Sequence, residues 1–134
     1  MKGNKLPILF ALLAMLLANL ACEASASTAN IADVWMSADE AGDQRVTSYA
    51  QDAVFYAQVD LKNAPDDTVL KAVWTAVDVQ DTDPNLVITE TEFTTGSGVI
   101  NFNLSNDNLW PTGTYKVDIY MNGELAKTLT FDVQ

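Results

Sequence analysis

Few residues in this chain are able to do chemistry. Cys22 is its single thiol, and histidine is absent. That removes the commonest general base, the commonest zinc ligand and every Ser-His or Cys-His nucleophile. No Gly-rich phosphate loop, Ser-x-x-Lys or Gly-x-Ser-x-Gly is present. What remains is carboxylates and aromatic rings. Asp78, Asp81, Asp83 and Asn85 share one stretch, and Asp39, Glu40 and Asp43 another. Clustered oxygen ligands at loop ends are how extracellular modules bind calcium weakly, although neither run has the spacing of an EF-hand loop. A carboxylate pair suffices for glycoside hydrolysis, but a domain this small rarely builds the deep cleft that reaction needs. The expectation is a protein that is not an enzyme and holds no cofactor, with calcium at Asp78, Asp81 and Asp83 as the weak candidate. Trp35, Tyr49, Tyr56, Trp110 and Tyr120 exceed the rings that a simple alternating core requires. Tyr56 and Tyr120, in outward positions, are the candidates for contact with a protein partner or for stacking on sugars. Trp35 and Trp110 read either as contact rings or as plugs at the two ends of the core, and for Trp110, just before Pro111 and the corner turn, the plug is expected.

The position of Cys22 carries most of the information on location. Upstream, Met1 to Lys5 contains two lysines, and Leu6 to Ala18 is an apolar run broken only by Pro7. Downstream, Glu23 to Asn30 is small and polar and reads as a tether. A positive n-region, a short apolar h-region and small residues at its exit describe an export signal. The stretch Asn19-Leu20-Ala21-Cys22 resembles the box of bacterial lipoprotein precursors, with Asn19 where an apolar residue is usual. The resemblance implies that the thiol is acylated and becomes the mature N-terminus, facing the periplasm or the cell exterior. Two alternatives stay open. Ala24-Ser25-Ala26 satisfies the small-x-small rule for ordinary cleavage after Ala26. A retained leader is the other, although its apolar run falls short of the ~20 residues of a spanning helix.

Removal of residues 1 to 21 leaves 113 residues, enough for one domain with one core. Five cations then face 18 acidic residues, a net charge of −13. Such a body repels nucleic acid and anionic headgroups, so nucleic-acid binding is excluded as an expectation. With one cysteine there is no intrachain disulfide, and the core alone must hold the fold.

The elements that must position any site follow a period of two. Phe55, Ala57, Val59 and Leu61 alternate with Tyr56, Gln58 and Asp60, and Leu70, Ala72, Trp74 and Ala76 repeat the pattern. So do Ile100, Phe102 and Leu104; Tyr115, Val117 and Ile119; and Leu129, Phe131 and Val133. Turn-forming stretches at Asn63–Asp67, Asp81–Asn85, Thr95–Gly98 and Trp110–Gly113 separate them, which argues for an all-β sandwich. For the last hairpin, a three-residue loop Met121-Asn122-Gly123 is expected. It pairs Ile119 with Leu125 and Tyr115 with Leu129, keeping apolar residues on one face. Asp39 to Tyr49 is polar and longer than a tight hairpin needs, and reads as a binding loop or a solvated excursion.

Gly113-Thr114-Tyr115-Lys116-Val117 places a tyrosine just after a turn, as a tyrosine corner does, and Trp74 lies in the third core strand. Leu61 to Pro65, Ala72 to Trp74, Trp110 to Gly123 and Phe131 to Val133 together resemble the small immunoglobulin-like domains of exported bacterial and archaeal proteins. The resemblance covers about 80 residues and implies an antiparallel, disulfide-free sandwich of about seven strands. It carries over no catalytic or ligand residue. The expected organisation is a signal peptide over 1–21, an acylated cysteine and tether over 22–30, and the sandwich over 31–134. The expected function is that of a membrane-tethered, non-catalytic module of the cell envelope that docks onto another envelope protein. A carbohydrate-binding module would instead show outward rings such as Tyr56 and Tyr120 in one flat row. A small periplasmic inhibitor or chaperone-like subunit would show a long, regular unpaired edge strand or a protruding loop.

Overall fold

The computed structural model describes residues 28–134; Cys22, the leader and the first part of the tether lie outside the described residues. Eight strands follow in order: β1 (Asn30–Ser37), β2 (Ser48–Tyr49), β3 (Phe55–Lys62), β4 (Thr68–Val79), β5 (Leu86–Thr95), β6 (Gly98–Leu104), β7 (Gly113–Met121) and β8 (Glu124–Val133). They form a three-stranded sheet, β1-β3-β6, and a five-stranded sheet, β2-β8-β7-β4-β5. The strand beyond the expected seven is β2, two residues that pair in parallel with the end of β8. Every other pairing is antiparallel.

The inward rows of β3 and β4, from the two facing sheets, are all buried, as their alternation requires. β7 and β8 continue the five-stranded side of the same core with Tyr115, Val117, Ile119, Phe131 and Val133. Phe55 sits at the centre. Its ring stacks on Trp110 at 4.5 Å and meets Phe131 edge-on at 4.8 Å. Such ring pairs contribute about 0.5–1.5 kcal/mol each beyond the area they bury. The Trp110 indole N–H donates to the Ala53 carbonyl at 2.9 Å, which fixes the ring as the closure of one end. The Tyr115 hydroxyl donates to the Pro111 carbonyl at 2.6 Å and forms the tyrosine corner. Gly113 begins β7 at φ 147, and a Cβ there would lie 2.3 Å from the Asp78 carbonyl oxygen. Only glycine lets β7 approach β4 this closely.

One expectation is corrected by the packing. The β7–β8 hairpin has a two-residue loop, not three: Met121 pairs with Glu124 and Tyr120 with Leu125. Asn122 and Gly123 both have positive φ, 50° and 84°, the twist that matches a two-residue turn to its strands. A bulge then shifts the register, so that Ile119 faces Lys127, Val117 faces Leu129 and Tyr115 faces Phe131. The apolar rows are thus restored two pairs beyond the turn instead of within it. Trp35, for which the sequence leaves both readings open, plugs no end. It pairs with Gln58 on the outward row of β1, and its N–H donates to the Gly42 carbonyl at 2.9 Å.

A candidate docking edge on β5

The middle of the outer face of the three-stranded sheet is covered by its own chain. Residues 38–44 fold back across it after β1. Gln58, outward on β3, is only 1 % exposed because this loop covers it. Its amide nitrogen donates to the Ser37 hydroxyl at 3.1 Å and to the Glu40 carbonyl at 3.0 Å. The Asn101 amide of β6 reaches the same Glu40 carbonyl at 3.0 Å. Gly42 takes φ 82 and comes so near the Gln58 side chain that a Cβ would meet it at 3.0 Å. The Asp39 carboxylate accepts from the Gln44 and Asp43 amides, which hold its pKa below the usual carboxylate range against a small opposing effect of burial. The stretch expected to be a binding loop or a solvated excursion is therefore a folded cover.

The side between β1 and β8 is also largely occupied. A cleft of about 350 Å³ opens there, lined by Val34, Trp35, Met36, Val46 and Leu129. Arg45 lies over the Trp35 ring at 4.3 Å and pairs with Asp33 at 2.8 Å, so its charge is already engaged within the fold.

The opposite side is different. With five strands facing three, β5 overhangs the core, and its residues from Leu86 to Thr94 are all exposed. Seven large apolar side chains are exposed among the described residues, and four of them stand on β5: Leu86, Val87, Ile88 and Phe93. Val99, 55 % exposed, stands beside them on β6. Their concentration on one edge separates this surface from the scattered apolar residues of an ordinary exterior. Phe93 reaches inward far enough to stack on Phe102 at 5.1 Å and is still 42 % exposed. Two shallow clefts run along this side, one of about 340 Å³ between Phe93 and Val99 and one of about 150 Å³ between Ile88 and Trp110. β5 pairs only with β4, so its other edge presents unpaired backbone groups. A bulge at Ile88 interrupts the ladder. On the outer side of the edge stand Glu90 and Glu92, opposite Val73 and Lys71. Lys71 holds its ammonium over the Tyr120 ring at 4.7 Å. The ion pairs among the described residues join Arg45–Asp33, Lys62–Asp60 and Lys116–Asp118 and leave both glutamates out.

The candidates named from sequence are not brought together. Tyr56 lies half-buried on the outer side of β3 and Tyr120 on the outer side of β7, in different sheets. The two rings do not share the flat row that a sugar platform would use. Asp78, Asp81 and Asp83 are exposed around the β4–β5 turn. Among the described residues no group of three or more acidic or cysteine side chains is placed to hold a metal ion. The β5 edge itself was not singled out in the sequence. The signal that could have found it is the run Leu86-Val87-Ile88 beside two glutamates, apolar yet with no clean alternation.

No protein-family model matches the chain, and no curated protein matches it. Solved structures do. An immunoglobulin-like protein from Pseudomonas aeruginosa superposes with a TM-score of 0.55 at 15% identity, covering 82% of this chain and 99% of that one. An alkylpurine DNA glycosylase from Pseudomonas fluorescens, solved with DNA containing an abasic site analogue, matches with a TM-score of 0.53 at 13% identity. That match covers 81% of this chain and 31% of the glycosylase. At such identities the likeness is one of fold alone. The chain is an all-β protein with an immunoglobulin-like antiparallel sandwich and no intrachain disulfide.

Proposed function

We propose that this protein is a non-catalytic docking module of the cell envelope, tethered through Cys22, that binds another protein along β5. The observation that carries the reading is the gathering of Leu86, Val87, Ile88 and Phe93 on one unpaired edge, while residues 38–44 cover the middle of the opposite sheet face. An exposed edge offers main-chain hydrogen bonds and the apolar side chains beside it offer area, which together make strand addition a recurrent mode of protein recognition. The leader and the tether supply the setting. A small inhibitor or chaperone-like subunit would use the same edge, but the bulge at Ile88 shortens the regular stretch such a role prefers.

The test uses the C-terminally tagged protein recovered from its own membranes. Val87→Lys and Val99→Lys alter exposed side chains and are expected to leave the melting temperature unchanged while abolishing recovery of the partner. Recovery equal to that of the unaltered protein overturns the reading.

A further inference from the structure

We infer that the occupant of the β5 edge is an extended segment of another protein in which lysine or arginine alternates with apolar residues. This rests on the docking reading above and adds the chemistry of the partner.

The edge has two sides with different demands. On the inner side, Leu86 and Phe93 flank Thr89 and Thr91, and with the groove beside Phe93 they favour apolar side chains on the inner face of an added strand at its two ends. On the outer side, Glu90 and Glu92 stand one above the other, two residues apart, with neither in an ion pair within the fold. The net charge of the domain has the same sign, with Lys71 on β4 the cation across from Glu92. From Thr28 onward the chain carries 17 acidic residues against five lysine and arginine residues. An approaching strand with cations on its outer face is steered to this edge and gains two cross-strand charge pairs there.

A second copy of the chain does not meet these demands. In an antiparallel pair of β5 strands that stays continuous across a two-fold axis, residues facing each other lie on the same side of the sheet. The registers that pair the strand along its length set Glu90 opposite itself, Glu90 opposite Glu92, or Glu92 opposite itself. Like charges placed directly opposite destabilise the pairing. The edge is therefore closed to its own copy and open to a basic strand.

The experiment titrates the purified residue 28–134 domain and the full chain with three fluorescent peptides of about nine residues, the length of an ordinary strand. One alternates lysine with valine, one alternates glutamate with valine, and one has the lysine–valine composition with a central proline. The lysine–valine peptide is expected to bind and to perturb the backbone amides of β5 in NMR spectra. The other two are expected not to bind. Glu90→Gln with Glu92→Gln is expected to weaken binding by about tenfold at low salt, and rising salt is expected to remove most of that difference. Equal binding of the acidic peptide, perturbation elsewhere in the domain, or affinity unaffected by the two substitutions overturns the proposal. A photo-crosslinker at Val87 in the full chain, irradiated in native membranes, separates the two levels of inference. An adduct to an acidic or uncharged segment overturns the basic partner and keeps the docking edge. No adduct at Val87 or at Thr94 overturns both.

Discussion

Replacement of Gln58 by methionine tests whether the cover formed by residues 38–44 is part of the folded domain. Methionine fills nearly the same volume and removes both amide hydrogen bonds, those to the Ser37 hydroxyl and to the Glu40 carbonyl. A hydrogen bond of this kind contributes about 0.5–1.5 kcal/mol net, so the loss is about 1–3 kcal/mol. The upper end is not exceeded, because neither partner is orphaned. The Glu40 carbonyl keeps the Asn101 amide, and the Ser37 hydroxyl still donates to the Asp39 carbonyl at 2.7 Å. For a domain of this size each kcal/mol shifts the melting temperature by about 4 °C, so Gln58→Met is expected to lower it by about 4–12 °C. The assay is thermal unfolding followed by near-ultraviolet circular dichroism, with amide exchange measured by NMR. The Ala38 amide, bonded to the Gln44 carbonyl at 2.9 Å, should lose protection in the variant. A melting temperature within about a degree of the unaltered protein, with Ala38 still protected, would refute the role assigned to Gln58.

Other perturbations follow from the same packing. Trp74→Ala removes one of the largest fully buried side chains and is expected to cost about 3–5 kcal/mol in denaturant titrations. Trp74→Phe should cost well under half of that, since the indole N–H has no hydrogen-bond partner to lose; an equal cost would contradict this. Burial pushes the Tyr49 phenol up to about 12, more than its bonds to the Ser37 and Tyr56 carbonyls lower it. An unfolded tyrosine titrates near 10, so the contribution is whole below about pH 10 and is lost as pH rises toward 12, by about 1.4 kcal/mol per pH unit. Tyr49→Phe should flatten the fall in unfolding midpoint between about pH 10 and pH 12; an unchanged slope counts against the assignment. Cys22→Ser is expected to move the protein from the membrane to the soluble fraction, and unchanged partitioning into detergent would rule out the acyl anchor.

The parts of this fold that were legible in the sequence are those fixed by short-range alternation. Phe55 to Leu61 and Leu70 to Ala76 announce two-faced strands, and Gly113-Thr114-Tyr115 announces the corner whose hydroxyl bonds to Pro111. The burial of Gln58 was illegible for a physical reason. Its outward register is correct, but what covers it is a loop held by Ser37, Glu40, Gly42 and Asn101, contacts that no local pattern encodes. The β7–β8 register failed in the same way. An apolar face can be kept by choosing the loop length or by inserting a bulge, and only the positive φ of both Asn122 and Gly123 decides between them. β5 eluded the pattern because an overhanging strand has no buried face to impose alternation.

An exposed edge strand carrying four large apolar residues is a liability unless something limits what pairs with it. Two devices of that kind are visible on β5. The bulge at Ile88 breaks the ladder, which leaves Thr89 to Thr95 as the regular stretch. Glu90 and Glu92 fall within that stretch, so self-pairing must bring carboxylates together in the one region where backbone bonding is regular. These devices act against a copy of the chain and leave Leu86, Val87 and Phe93 exposed. A strand protected only against aggregation would place polar residues at those positions as well. The combination of a charge barrier to self-association with a retained apolar edge is what a strand reserved for a different, oppositely charged partner requires.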